Sequence, residues 1–182
     1  MSALHLLGIC GSLRQASANR GLLRAAQAVL PDGVTLDIAE LADVPLYNSD
    51  IEGKPEPVKR LLAQIEAADG LVLASPEYNY SIAPALKNAL DWASREPENR
   101  LLSGKTVAIV GAGGGMGTSR SQYHLRQVCV CLNLHVLNKP EFFASAFGGN
   151  FNEAGDLVSD ALREQLTAQM SALVDWTRKL AD

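Results

Sequence analysis

Cysteine is scarce in this chain of 182 residues: three occur, Cys10, Cys129 and Cys131. An odd count without paired spacing excludes a disulfide framework, and Cys129 and Cys131, two apart on a helical pattern, do not face each other. Buried thiols in a reducing cytoplasm are the expectation. The histidines, His5, His124 and His135, show no ligand-like spacing to the cysteines, so no metal site is expected. The first ten residues hold no Lys or Arg and no long apolar run follows them, so a secretory signal peptide is not expected. No stretch approaches the roughly 18 apolar residues of a membrane helix. Excess positive charge is missing too. The formal net charge of -4 argues against a non-specific nucleic-acid binder. Repeats, low-complexity tracts and linkers are absent, and the length suits one domain, 1–182, with a sizeable core.

What the chain does have is an alternation of strand and helix patterns. Continuous apolar runs at 3–10, 70–75 and 105–112 have the form of strands buried on both faces. Residues 34–39 alternate as a less buried strand does, and 135–138 form a short fifth one. Helical stripes occupy about 17–30, 57–68, 81–94, 121–132 and 157–180. In the first of these, Ser17 or Asn19 can cap the start. Five strands alternating with five helices predict an α/β fold, a three-layer, doubly wound, five-stranded parallel sheet of flavodoxin-like form. Ligands of such sheets bind beyond the C-terminal strand ends, near the switch point. That rule selects three loops, 10–19, 76–81 and 111–118, which are also those of unusual composition.

Both common nucleotide fingerprints are missing from these loops. A triphosphate loop requires G-x-x-x-x-G-K-[ST], but the first loop has no Lys. The fragment "SGKT" at 103–106 precedes a strand, and its first required Gly falls at Asn99. A dinucleotide fold requires G-x-G-x-x-G after the first strand. Gly8 and Gly11 are wrongly spaced for it, and in "GAGGGMG" Met116 takes the place of the third Gly. What remains in "GSLRQASAN" is a set of donors, Ser12, Arg14, Ser17 and Asn19 with the helix-start amides at Ala18, able to surround one terminal phosphate. On the loop alone, Ser12 and Ser17 read equally well as caps of a turn and a helix. In "SPEYNYS", Tyr78 and Tyr80 can border a flat ring or pack in a subunit interface. "GAGGG" brings backbone close to a ligand with no side chain between. A monophosphate, a flat ring and a bare glycine wall together describe flavin mononucleotide (FMN).

Three stretches, "GSLRQASAN", "SPEYNYSIAPALKNALDWASR" and "SQYHLRQVCVCLNLHVLNKPEF", resemble the NAD(P)H-dependent FMN reductases, in particular the bacterial quinone and chromate reductases. The resemblance runs from about residue 5 to 143, and the tail beyond is generic. It implies a flavodoxin-like fold, non-covalent FMN, NAD(P)H as co-substrate, ping-pong transfer of two electrons to quinones, azo compounds or chromate-type oxyanions, and a homodimer or homotetramer. Carried over by position, Ser12, Arg14, Ser17, Ala18 and Asn19 hold the phosphate, and Pro76, Glu77, Tyr78, Asn79 and Tyr80 border the ring. Ala112 and Gly113 stand where the family often has a serine, so contact there is left to backbone. Arg120, Tyr123 and Glu141 match residues that related tetramers use across subunits. Read from charge alone, Glu77 is a rim carboxylate, Arg120 with Glu141 an exposed ion pair, and Lys87 with Asp91 a pair along one helix. His124 reads as a surface histidine, and no side chain stands out as a catalytic acid or base. Two other functions share these features: a flavodoxin that carries single electrons, and a flavin reductase that supplies reduced FMN to a monooxygenase.

Overall fold

The computed structural model describes residues 3–181. Five strands, β1 (Leu4–Cys10), β2 (Val34–Ile38), β3 (Gly70–Ala74), β6 (Thr106–Val110) and β8 (His135–Val136), form one parallel sheet in the order β2-β1-β3-β6-β8. The chain winds outward from β1 to β2 and then turns back to β3. The switch point therefore lies between the C-terminal ends of β1 and β3, at Cys10 and Ala74.

The central strands are apolar on both pleats because both are covered. Leu7, Ile9, Leu71, Leu73, Val107 and Ile109 pack under α2 (Glu56–Ala67), α3 (Pro84–Ala93) and α4 (Ser119–Cys131). Leu4, Leu6, Val72, Ala108 and Val110 pack under α1 (Ala18–Val29) and α5 (Asp160–Ala181). Each helix contributes one stripe: Val58, Leu61, Leu62 and Ile65 from α2, for example, and Leu166, Met170, Leu173 and Val174 from α5. Two cysteines join the core, Cys129 under the first layer and Cys10 under the second, whereas Cys131 is exposed. Among the described residues no helix is long and apolar enough to cross a membrane.

Two expected elements are divided differently. Residues 81–94 do not form one helix. Pro84 starts α3, where its missing N–H costs nothing, and Ser81–Ile82 belong to β5, which pairs antiparallel with β4 (Glu77–Tyr78). The run 105–112 also splits. After β6 the chain leaves the sheet, and β7 (Ala112–Gly113) pairs with β9 (Ala144–Ser145) from the tail.

Candidate functional site

The first loop ends β1 and opens α1. Ser17 is the N-cap of α1, and its Oγ accepts the Arg20 amide at 3.3 Å. The amides of Ala18 and Asn19 lie in the first turn and have no helical acceptor. Ser12 and Ser17 are buried, and Arg14 is exposed. Asn19 is 4% exposed and turns toward the third loop. Its Nδ2 donates to Ala112 O at 2.9 Å, and its Oδ1 accepts the Ala112 amide at 2.9 Å. The side chain thus pairs with one peptide as a strand would, and its backbone amide is what it offers to a ligand. Cys10 lies beneath this loop, its Sγ 3.5 Å from Ser12 O. Burial pushes its thiol up, against the lowering effect of hydrogen bonds with Ser12 and Ser17.

The second loop is a hairpin. Its turn residues Asn79 and Tyr80 adopt φ of +49° and +67°, in the left-handed region that non-glycine residues rarely occupy. The hairpin is held from outside by α4. Glu77 is no rim carboxylate: only 6% of its side chain is exposed. Its Oε1 accepts Arg120 Nε at 2.6 Å and its Oε2 accepts the Ser121 amide at 3.2 Å. A carboxylate against the first turn of α4 sits where the helix dipole favours it. The Arg120 guanidinium, paired with Glu77, also lies 3.7 Å from the centroid of the Tyr80 ring. Arg120 therefore pairs within the protomer with Glu77 and not with Glu141. Glu141 instead pairs with Lys139 at 2.6 Å. The Lys139 hydrogen bond, assisted by Tyr123, holds the Glu141 carboxyl below its usual range. Lys87 and Asp91 pair along α3 at 2.6 Å. His124 is exposed, as expected, but its Nδ1 lies 2.8 Å from Ser81 Oγ on the hairpin.

Side chains in the first turn of α4 link the end of β3 to the segments around it. Ser75 Oγ donates to Pro76 O at 3.1 Å and lies 2.9 Å from Ser121 Oγ. Gln122 Nε2 donates to Thr118 Oγ1 at 3.0 Å and to Phe142 O at 2.8 Å. Beyond β7 the chain runs through Gly114 and Gly115, where an added Cβ would meet open space. The first loop, the hairpin and the start of α3 form a crevice of about 490 Å³ lined by Gly11, Leu13, Arg14, Tyr78, Pro84 and Ala85. The walls are mostly apolar, with Arg14 as their one charged residue, and the α1 N-terminus follows a few residues on in the same loop. These features suit a flat ring attached to an anion. A second crevice of about 460 Å³, beside Tyr47 and Trp92, contains none of the predicted site residues.

Residues 4–149 match the model of a family described as NADPH-dependent FMN reductase. The chain belongs to this family. It is 48% identical over 180 residues to an NAD(P)H-dependent FMN reductase of Pseudomonas aeruginosa, with 97% of each chain covered. It is 44% identical over 185 residues to an NAD(P)H:quinone oxidoreductase of Solanum tuberosum, covering 97% of this chain and 94% of that one. It is 37% identical over 183 residues to a quinone reductase of Escherichia coli K12, with 97% of each covered. Among solved structures, FerB, a flavoenzyme NAD(P)H:(acceptor) oxidoreductase from Paracoccus denitrificans, superposes with a TM-score of 0.87 at 28% identity, over 97% of this chain and 98% of that one. The family match ends at Gly149. The tail that supplies α5 therefore lies outside it, while β9 lies just within.

Proposed function

We propose that the protein is an FMN-dependent NAD(P)H:acceptor oxidoreductase that reduces quinones in two-electron steps, with azo compounds and chromate-type oxyanions as further acceptors. The observation that carries this reading is the crevice at the switch point. Its lining joins Gly11, Leu13 and Arg14 of the first loop to Tyr78 of the hairpin in an apolar slot, and the anion donors at the start of α1 follow in that same first loop. FMN held at residues 12–19 and 76–80 would supply the two-electron redox chemistry between NAD(P)H and the acceptor.

The chain's own residues bind and orient. Ser12 and Ser17 offer hydroxyls to the phosphate, Ala18 and Asn19 offer amides, and the exposed Arg14 offers a charge-assisted bond. Pro76 to Tyr80 border the ring largely through backbone, because the side chain of Glu77 is engaged with α4. Ala112 contributes shape alone, since both its peptide groups are taken by Asn19. No side chain is assigned as a general acid, and solvent protons reach an open site directly. Leu13, Tyr78, Tyr80, Met116, Tyr123 and Phe147 are exposed apolar or aromatic residues carried by loops or the α4 face near this end of the sheet. Their exposure supports a homodimer or homotetramer formed over this end, with Tyr123 and Glu141 at its contacts. A cytoplasmic location agrees with the free thiols.

The test is anaerobic mixing of the purified yellow protein with NADPH, followed by a quinone. Rapid bleaching at the flavin band and its return on adding quinone are expected. Bound flavin that does not bleach with either nicotinamide would overturn the reading. Flavin lost on desalting, with turnover of free FMN, would favour a reductase that supplies reduced flavin to a partner.

A further inference from the structure

The phosphate loop is braced by a segment of the generic tail. Residues 150–157 form a small closed ribbon. Phe151 bridges Leu157, Asn152 N donates to Asp156 O at 3.0 Å, and Asn152 Oδ1 accepts the Asp156 amide at 2.8 Å. Leu157 anchors the ribbon in the core under α1 and α5. At its tip Gly155, with φ of +81°, lies flat on the loop, where an added Cβ would stand 2.8 Å from the backbone carbons of Ala16 and Ser17. From below, a Cβ added to Gly21 of α1 would overlap Gly155 O. Two bare glycines thus let the ribbon seat against the first turn of α1. Arg24, one turn further, fastens it. Its Nε donates to Asp156 Oδ1 at 2.7 Å and its Nη2 to Ala154 O at 3.3 Å.

We propose that this ribbon is the positioning element of the phosphate loop, and that its seat on Gly21 and Gly155 sets the preference for a phosphorylated over an unphosphorylated flavin. The inference rests on the reading of residues 12–19 as the phosphate site. The donors of that site, Ser12, Ser17 and the Ala18 and Asn19 amides, converge only if residues 16–19 keep their path. Asn19 fixes that path from one side through Ala112, and Gly155 fixes it from the other. A ring held by the distant hairpin gains nothing from the ribbon, so displacing it separates phosphate recognition from ring recognition.

The experiment compares dissociation constants of FMN and riboflavin for the wild-type apoprotein, Gly21→Ala and Arg24→Gln. Gly21→Ala forces the ribbon off its seat while improving helix propensity, so α1 itself gains. Arg24→Gln releases the fastening at a half-buried position. Expected are a wild-type preference for FMN, a loss of about tenfold in that preference for Gly21→Ala and a smaller loss for Arg24→Gln, with riboflavin affinity unchanged. An unchanged preference in both variants, with the wild type favouring FMN, would overturn the inference alone. A wild type that binds both flavins equally would overturn the phosphate-site reading and the inference with it. Equal losses for both flavins would mark the ribbon as merely structural.

Discussion

Replacing Asn19 by alanine separates fastening from ligand contact. In the folded chain Asn19 and Ala112 exchange two hydrogen bonds of 2.9 Å, with the residues 4% and 3% exposed. Alanine removes both bonds and leaves the Ala112 peptide buried without a partner. Each group left buried without its partner costs about 1–3 kcal/mol unless water enters, so the two together cost roughly 3.5 kcal/mol, near the middle of that range. Helix propensity returns roughly 0.5 kcal/mol, since Ala is the better helix former. The balance is a loss of about 3 kcal/mol. For a chain of this size about 1 kcal/mol moves Tm by roughly 2–4 °C, so the flavin-free protein should melt about 6–12 °C lower. Asn19→Asp is the discriminating control. It keeps the shape and still accepts the Ala112 amide, but it sets a carboxylate oxygen against Ala112 O. It should therefore fail to restore the wild-type Tm. Ser17→Ala provides the contrast. It removes a long 3.3 Å cap bond, so its Tm should fall only slightly while FMN affinity falls more. The assay is thermal unfolding by circular dichroism without flavin, repeated with a titration of FMN. An Asn19→Ala protein that melts within about 2 °C of wild type would refute the reasoning, because no buried peptide of this kind loses both partners at so small a cost.

Three other outcomes follow from the same geometry. Burial holds the Cys129 thiol at about 12, against 9.0 unperturbed, so the folded state keeps its proton while the unfolded chain loses it. Stability from this group is intact below pH 9 and is lost as pH rises toward 12, and urea unfolding across that window should show a shallower alkaline limb for Cys129→Ala. Glu77→Gln keeps the shape of the α4 clamp but removes its charge, and half-exposed Arg120 limits the expected loss to about 1–2 kcal/mol. Glu77→Ala, which also strips the bond to the Ser121 amide, should lose more in the same melt. Lys87→Ala breaks an exposed pair along α3 and should change stability by less than about 0.5 kcal/mol in denaturant titration.

The sheet and its two helical layers were legible because burial on both faces writes itself into continuous runs such as "GLVLA", and one-sided burial into stripes such as Val58, Leu61, Leu62 and Ile65. The hairpin was not. Its turn takes two left-handed residues, and Asn79–Tyr80 carries no glycine to announce them. The geometry is enforced from α4 by Arg120 and Glu77, 43 residues apart in sequence, and no local pattern encodes that. The two-residue strands β7 and β9 are too short to show a period. Asn19 was legible as a polar residue at a helix start, but its partner is 93 residues away. Gly155 shows in the sequence only as a glycine between Ala154 and Asp156, with nothing local to indicate that it meets residues 16 and 17.

The site follows from a general difficulty of the doubly wound sheet. Its functional loops leave the strand ends with backbone groups that no longer have sheet partners, and those groups are too close to the core to be left to water. In this chain side chains from the hairpin and from the first turns of α1 and α4 take the place of the missing strands. Asn19 serves Ala112, Glu77 serves Ser121, and Gln122 serves Phe142 O. Each such bond spans 20 to 93 residues of sequence, so it ties separate crossovers together at the point where the ligand must fit. The polar residues that mark these loops in the sequence therefore divide into two sets. Buried Ser12 and Ser17 and exposed Arg14 make no long-range side-chain hydrogen bond, whereas Asn19 and Glu77 are already spent on the fold. Substitutions in the first set should change flavin affinity with little change in Tm, and those in the second should change both together. A loss of affinity at Asn19 or Glu77 without any loss of Tm would mean that these side chains leave their backbone partners to reach the flavin.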